Sequence, residues 1–342
     1  MHASRFVMRR PAAIFLNASR LDYDNALNFS RLNSVTSLTL NRVDTMTDVN
    51  EIVSKVKATE AEIVILKEME LPSKAVELFP PSVRLICEAG TGYNNIPIKV
   101  ARQQKDISVV NVPTYSTESV AHMVITYIMS FSAALFSQAR TLYTSDNKNQ
   151  INFRVFQHPI YEINDKVLGL VGGSGNIGTA VTDVALALGM EVIISSRKGR
   201  LPTGHKYENH PRVSVVPLPE LLQRSDFVSI NCPLNDETRH SIGRKQIEMM
   251  KPTAFLINTA RGAIINESEL IECMREHKIA GAGLDTQEVE PPSSDSELWN
   301  LPNVFMTPHI GWRRLETRQR LIDMTTDNIQ SYIDGNVVNV VN

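Results

Sequence analysis

Residues 167–178 read Val-Leu-Gly-Leu-Val-Gly-Gly-Ser-Gly-Asn-Ile-Gly. The apolar run Val167–Val171 suits a strand buried on both faces, and a helix-period segment follows from Asn176 to about Leu188. Between them, Gly173-Ser174-Gly175-Asn176-Ile177-Gly178 matches G-x-G-x-x-G. In that context the pattern has a mechanical meaning. Gly173 permits a tight turn, Gly175 lets the backbone approach a pyrophosphate, and Gly178 lets the helix pack closely on the sheet. The helix opened by Asn176 and Ile177 then offers unpaired N–H groups and the positive end of its dipole to the phosphates. The segment predicts a dinucleotide site at the head of a Rossmann-type sheet.

The end of the next strand selects the cofactor. It reads Glu191-Val192-Ile193-Ile194-Ser195-Ser196-Arg197-Lys198. An NAD site usually places Asp or Glu there to accept from the ribose 2′-hydroxyl. Here the position falls on Ser196, followed by Arg197 and Lys198. A carboxylate would repel a 2′-phosphate, whereas a hydroxyl and a guanidinium bind one. The reading is NADP(H) as preferred cofactor, with NAD(H) as the second choice.

Outward from this segment, short apolar runs alternate with helix-period stretches. Upstream, strands are predicted at Ala13–Asn17, Glu62–Leu66, Arg84–Glu88 and Ser108–Asn111, with helices near 48–57, 72–79 and 96–105. One long helix is predicted from Thr117 to Tyr143, then an irregular polar stretch from Ser145 to Asn164. Downstream strands are predicted at Lys166–Val171, Glu191–Ser195, Phe227–Asn231, Ala254–Asn258, Ala280–Asp285 and Asn303–Thr307, and a last helix at Leu315–Ile333. This rhythm implies an α/β protein of parallel sheets. A length of 342 residues implies two domains, each doubly wound.

Composition narrows the classes. Hydrophobic content of 42% and charged content of 21% fit a globular chain. A net charge of −2 argues against a nucleic-acid partner, and no apolar run is long enough to predict a membrane span. Cys87, Cys232 and Cys273 lack metal-ligand spacing, so no metal site is expected and reduced thiols in a cytoplasmic setting are. Residues 1–12 carry Arg5, Arg9 and Arg10 before any acidic residue, which leaves an N-terminal targeting segment as a second possibility.

Three more segments fall at predicted strand ends, where open α/β sheets bind ligands. They are Asn258-Thr259-Ala260-Arg261-Gly262, Gly283-Leu284-Asp285-Thr286-Gln287-Glu288-Val289-Glu290-Pro291, and Thr307-Pro308-His309-Ile310-Gly311. With the glycine loop, Cys87–Ile96, Tyr115–Ala121 and Cys232-Pro233-Leu234, they resemble the D-isomer-specific 2-hydroxyacid dehydrogenase family over nearly the whole chain. The look is closest to its glyoxylate/hydroxypyruvate reductase and glycerate dehydrogenase branch. The resemblance implies a flavodoxin-like substrate domain (12–116 and 313–342) and a Rossmann cofactor domain (117–312), with a cleft between them. It also implies reduction of a small 2-oxo acid to its D-2-hydroxy acid.

That reaction needs a hydride donor, a proton donor and a carboxylate anchor. The resemblance makes His309 the proton donor, which imidazole chemistry suits. Glu290 would orient it, Glu288 being the neighbour with which it is confused. Arg261 would hold the substrate carboxylate through its planar fork of donors, with backbone N–H groups of Gly90, Thr91 and Gly92. Cys232, Pro233, Thr238, Thr259 and Gly311 would line the cofactor, and Asp285 would accept from its carboxamide.

Two departures stand out. Trp312 takes a position where many relatives are small and is read as roofing the substrate pocket or packing at the hinge. His122 replaces the Glu or Gln common in the branch. Lys67, Glu68 and Met69 end a strand near the expected pocket and carry no readable role, and His122, His158, His240 and His277 are read as helix or surface residues. The long helix and segment 139–165 are expected to build a homodimer. The alternative function is a dinucleotide-sensing protein of corepressor type.

Overall fold

Alternating apolar runs produce two parallel sheets, each in its own compact unit. The computed structural model describes residues 9–144 and 159–342. Most of the basic segment 1–12, His158 and most of the polar stretch 145–164 lie outside the described residues.

The first unit comprises residues up to Ser116 together with Arg313–Asn342. Its strands are β1 (Ala12–Phe15), β2 (Ser37–Leu40), β3 (Ile63–Leu66), β4 (Leu85–Glu88) and β5 (Ser108–Val110), ordered β2-β1-β3-β4-β5 and all parallel. This is the flavodoxin-like order, whose ligand crevice opens beyond the carboxyl ends of β1 and β3. β3 and β4 are buried along their whole length, as sheets covered on both faces require. β2 was not anticipated: Ser37-Leu38-Thr39-Leu40 is an edge strand of alternating exposed and half-buried residues, without an apolar run. The helix Leu315–Ile333 returns to this unit, and the tail closes its far edge through the Val341 N–H to Val109 O (2.9 Å).

The second unit, Thr117–Trp312, holds seven parallel strands. They are β6 (Val167–Val171), β7 (Glu191–Ser195), β8 (Val213–Val215), β9 (Phe227–Ile230), β10 (Phe255–Asn258), β11 (Gly281–Leu284) and β12 (Val304–Met306). Their order, β12-β11-β10-β9-β6-β7-β8, reverses direction between β6 and β9 and is that of a Rossmann sheet. β8, a three-residue edge strand, was likewise missed.

One predicted helix is two. Thr117–Ser132 ends, Ala134 takes φ 48°, and Leu135–Thr144 continues at a bend of 64°. The bend carries Phe136 onto Phe305 (ring centroids 4.7 Å), while Phe131 stacks on Phe255 (4.5 Å). Helix periodicity runs through the break, so tertiary aromatic packing decides it. Among the described residues no single helix is long and apolar enough to cross a membrane.

Candidate active site

His309 lies just past β12 with φ 51°, a left-handed conformation that costs a non-glycine residue on the order of 1 kcal/mol. Asp285, at the end of β11 and 2% exposed, holds the loop in that shape. Its Oδ1 accepts from Thr307 Oγ1 (2.6 Å) and the Ile310 N–H (2.8 Å), its Oδ2 from the Gly311 N–H (2.8 Å). Its carbonyl accepts from the His309 N–H (2.9 Å). Ser119 Oγ donates to Gly311 O from the helix behind. Tyr127 OH meets Thr307 Oγ1 at 2.8 Å, and burial pushes the phenol's pKa up. Thr307 spends its only proton on Asp285, so Tyr127 is the donor.

His309 Nδ1 and Glu290 Oε2 are 2.8 Å apart, with side chains 15% and 32% exposed. The Gln287 N–H donates to Glu290 Oε1 (3.1 Å) and fixes the carboxylate from its other side. Arg261 caps the short turn Gly262–Ile264. Asn258 clamps that turn, donating to Arg261 O (2.9 Å) and accepting from the Ala260 N–H (3.0 Å). The guanidinium donates to Ala260 O (2.7 Å); among the described residues no hydrogen bond joins it to His309 or Glu290. His240, read as a helix or surface residue, sits at φ 52° with Nε2 2.7 Å from Glu288 Oε1. The two neighbouring carboxylates thus separate, Glu288 to His240 and Glu290 to His309.

At the β6–helix turn the left-handed residue is Gly172 (φ 79°), not Gly173. Gly173 is required for space instead, since a Cβ there would lie 2.5 Å from that of Leu170. A Cβ on Gly178 would lie 2.3 Å from Gly173 O, so the helix packs against the turn itself. A Cβ on Gly175 would meet nothing within 4 Å, leaving an open cradle at the N-terminus of Asn176–Ala187, where Ile177 sits in the first turn. Cys232 packs against Gly172, and Thr238 Oγ1 donates to Pro233 O (2.7 Å), folding the loop after β9. Ser196 Oγ donates to Arg200 O (3.0 Å). Arg197 and Lys198 are exposed, and Arg197 faces Glu237 at 3.3 Å.

In the first unit, the Gly90 O and Thr91 O of the 90–92 loop accept from the Val112 N–H (2.9 Å) and Asn111 Nδ2 (2.7 Å), and Thr91 Oγ1 donates to Val112 O (2.9 Å). The loop is therefore fixed against the segment after β5. Gly92 is half-buried and Trp312 is buried, at 3% exposure.

A family model described as D-isomer specific 2-hydroxyacid dehydrogenase, NAD binding domain, matches residues 132–311. A hydroxypyruvate reductase of Blautia hydrogenotrophica is 31% identical over 301 residues, 87% of this chain and 89% of its own. The chain belongs to the D-isomer-specific 2-hydroxyacid dehydrogenases. A glyoxylate reductase of Korarchaeum cryptofilum is 35% identical to this dehydrogenase over 298 residues, 85% of each chain. The solved structure of a glyoxylate reductase from Paecilomyes thermophila superposes with a TM-score of 0.81 at 25% identity, covering 98% of this dehydrogenase and 99% of that chain.

The dehydrogenase is NAD(P)-dependent by family, and its residues fit such a cofactor. The cradle at Gly175 is open. At the ends of β9 and β10, the Asn231 amide and the Thr259 hydroxyl are buried and have no hydrogen-bond partner among the described residues, as groups awaiting a polar ligand would be. Sequence reasoning missed Tyr127, Ser119 and Gln287, which shape the His309 loop and Glu290. Gln287 and Ser119 lay inside segments marked by the resemblance; Tyr127 sits on a helix far away in sequence, with nothing local to mark it.

Proposed function

We propose that this dehydrogenase reduces glyoxylate, hydroxypyruvate or a closely related 2-oxo acid to the D-2-hydroxy acid, with NADPH as preferred donor and His309 as proton donor. The observation that carries the reading is the 2.8 Å contact between His309 Nδ1 and Glu290. A carboxylate on Nδ1 fixes the tautomer and the ring's orientation, so Nε2 delivers a proton to the carbonyl oxygen. The nicotinamide, when bound, supplies the hydride to the carbonyl carbon. Arg261 holds the substrate carboxylate and polarises the 2-oxo group; in the first unit, the N–H groups of the Gly90–Gly92 loop are read as binding a carboxylate. The first unit is then the substrate domain and the second the cofactor domain. Relatives named hydroxypyruvate reductase and glyoxylate reductase support the substrate class.

NADPH preference rests on Ser196 in the acidic position and on the exposed Arg197 and Lys198. A homodimer is part of the same reading: no residue of the helix Leu135–Thr144 is buried, and Leu135 and Tyr143 are 57% and 81% exposed.

The test is oxidation of NADPH and NADH with glyoxylate, hydroxypyruvate, pyruvate and phenylpyruvate. Turnover is expected with the first two and NADPH, and to vanish in His309→Ala. Arg197→Asp is expected to raise the KM for NADPH and leave that for NADH nearly unchanged. Equal effects on both cofactors would remove the NADPH assignment.

A further inference from the structure

Beneath the Gly90–Gly92 loop lies a buried polar cluster that the reaction as described does not use. Lys67 follows β3 and is 1% exposed; Glu88 ends β4 and is fully buried. Lys67 Nζ reaches Glu68 Oε1 (2.7 Å) and Tyr115 OH (3.3 Å). Glu88 accepts from the Glu68 N–H (3.0 Å) and Asn95 Nδ2 (2.9 Å). Asn17, at the end of β1, clamps the Lys67 peptide from both sides, accepting from its N–H (2.9 Å) and donating to its carbonyl (2.8 Å). Glu68 is held at φ 54° between these anchors. Buried ionic clusters stabilise folds no better than apolar packing does, so a cluster clamped this firmly at a crevice calls for a further role.

Its position supplies one. β1 and β3 flank the reversal of strand order, where doubly wound sheets bind ligands. A Cβ on Gly90 would lie 2.9 Å from Glu88 Oε1 and 3.1 Å from Lys67 Nζ, so the glycine rests directly on this pair and a side chain there would have to push it aside. We propose that Lys67 is a substrate-positioning cation: its ammonium lies behind the Gly90–Gly92 backbone, supplies positive charge for the carboxylate that loop binds, and is tuned by Glu88. The inference rests on the reading of that loop as the carboxylate anchor of a 2-oxo acid.

Tuning makes substrate affinity depend on pH. Burial pushes Glu88 up to about 7, against the pull of Lys67, while Lys67 itself is held charged by Glu68, Tyr115 and Glu88. Burial raises the neighbouring Cys87 thiol, which stays neutral. Arg20 pairs with Glu68 at 3.1 Å, and Arg313 faces both Arg20 and Glu68. Below the Glu88 transition its carboxyl is neutral and the Lys67 charge is opposed by Glu68. Above it a second negative charge appears beside Gly90 and weakens anion binding. KM for the 2-oxo acid therefore rises with pH.

The experiment measures KM and kcat for glyoxylate with NADPH, and the NADPH Kd by fluorescence, in wild type, Glu88→Gln and Lys67→Met. In wild type, KM is expected to rise roughly tenfold from about pH 6 to about pH 8, as one added charge near the anion requires. Glu88→Gln is expected to remove that rise. Lys67→Met is expected to raise KM by roughly tenfold with the NADPH Kd unchanged. A wild-type KM slope that survives in Glu88→Gln overturns the inference even if Lys67→Met fails to fold, and so does an unaltered KM in a folded Lys67→Met. A wild type that turns over none of the acids overturns the underlying reading, and this inference with it.

Discussion

At the scale of single residues, the site is held in shape by side chains that need not touch substrate. Asp285 gives both carboxylate oxygens to the loop that carries His309. Glu290 does the equivalent for the imidazole ring. Glu290→Gln keeps the shape and removes the charge. It is expected to lower kcat on the order of 100-fold, the scale of a general-acid contribution, with the NADPH Kd little altered. Stopped-flow and steady-state turnover check this; a loss seen in KM alone would assign Glu290 to binding.

At the scale of elements, the strand ends of the second sheet are locked to one another. The turn after β10 lies so close to the loop after β11 that a Cβ on Gly262 would fall 1.9 Å from the Gln287 carbonyl carbon. The His240–Glu288 contact and the His240 N–H to Ala263 O (2.9 Å) tie the same two segments. Gly262→Ala must therefore displace Gln287 and, through it, Glu290. The expected cost is about 3 kcal/mol of stability, the upper range for overpacking a filled site. Urea unfolding and turnover together test it: stability lost with full activity would show that the loop moves without carrying Glu290 away.

At the scale of the whole molecule, two parallel sheets with different strand orders each place loops at a reversal point. In the second unit these are the glycine turn after β6 and the Asn231–Thr238 loop after β9. The helix Leu135–Thr144 presents Leu135 and Tyr143 to solvent, an arrangement that suits a partner copy. Leu135→Glu with Tyr143→Glu is expected to shift a dimer to monomer in analytical ultracentrifugation. A wild type that sediments as a monomer would remove the homodimer proposal.

Sequence alone determined the α/β class, the family and most strands, because both sheets are buried on both faces and strands such as Val167–Val171 must read as continuous apolar runs between turns. Edge strands β2 and β8 were not legible, since a strand paired on one side needs no such run. Motif spacing marked the segments of Arg261, Glu290 and His309, whose neighbours in sequence are also neighbours at the strand ends. Tertiary structure alone decided the break at Ala134, the contact of Glu288 with His240, and the Tyr127–Thr307–Asp285 chain. It also decided the burial of Lys67 and Glu88 beneath Gly90. Each depends on contacts between segments far apart in the chain, where local periodicity carries no information about which side chains will meet.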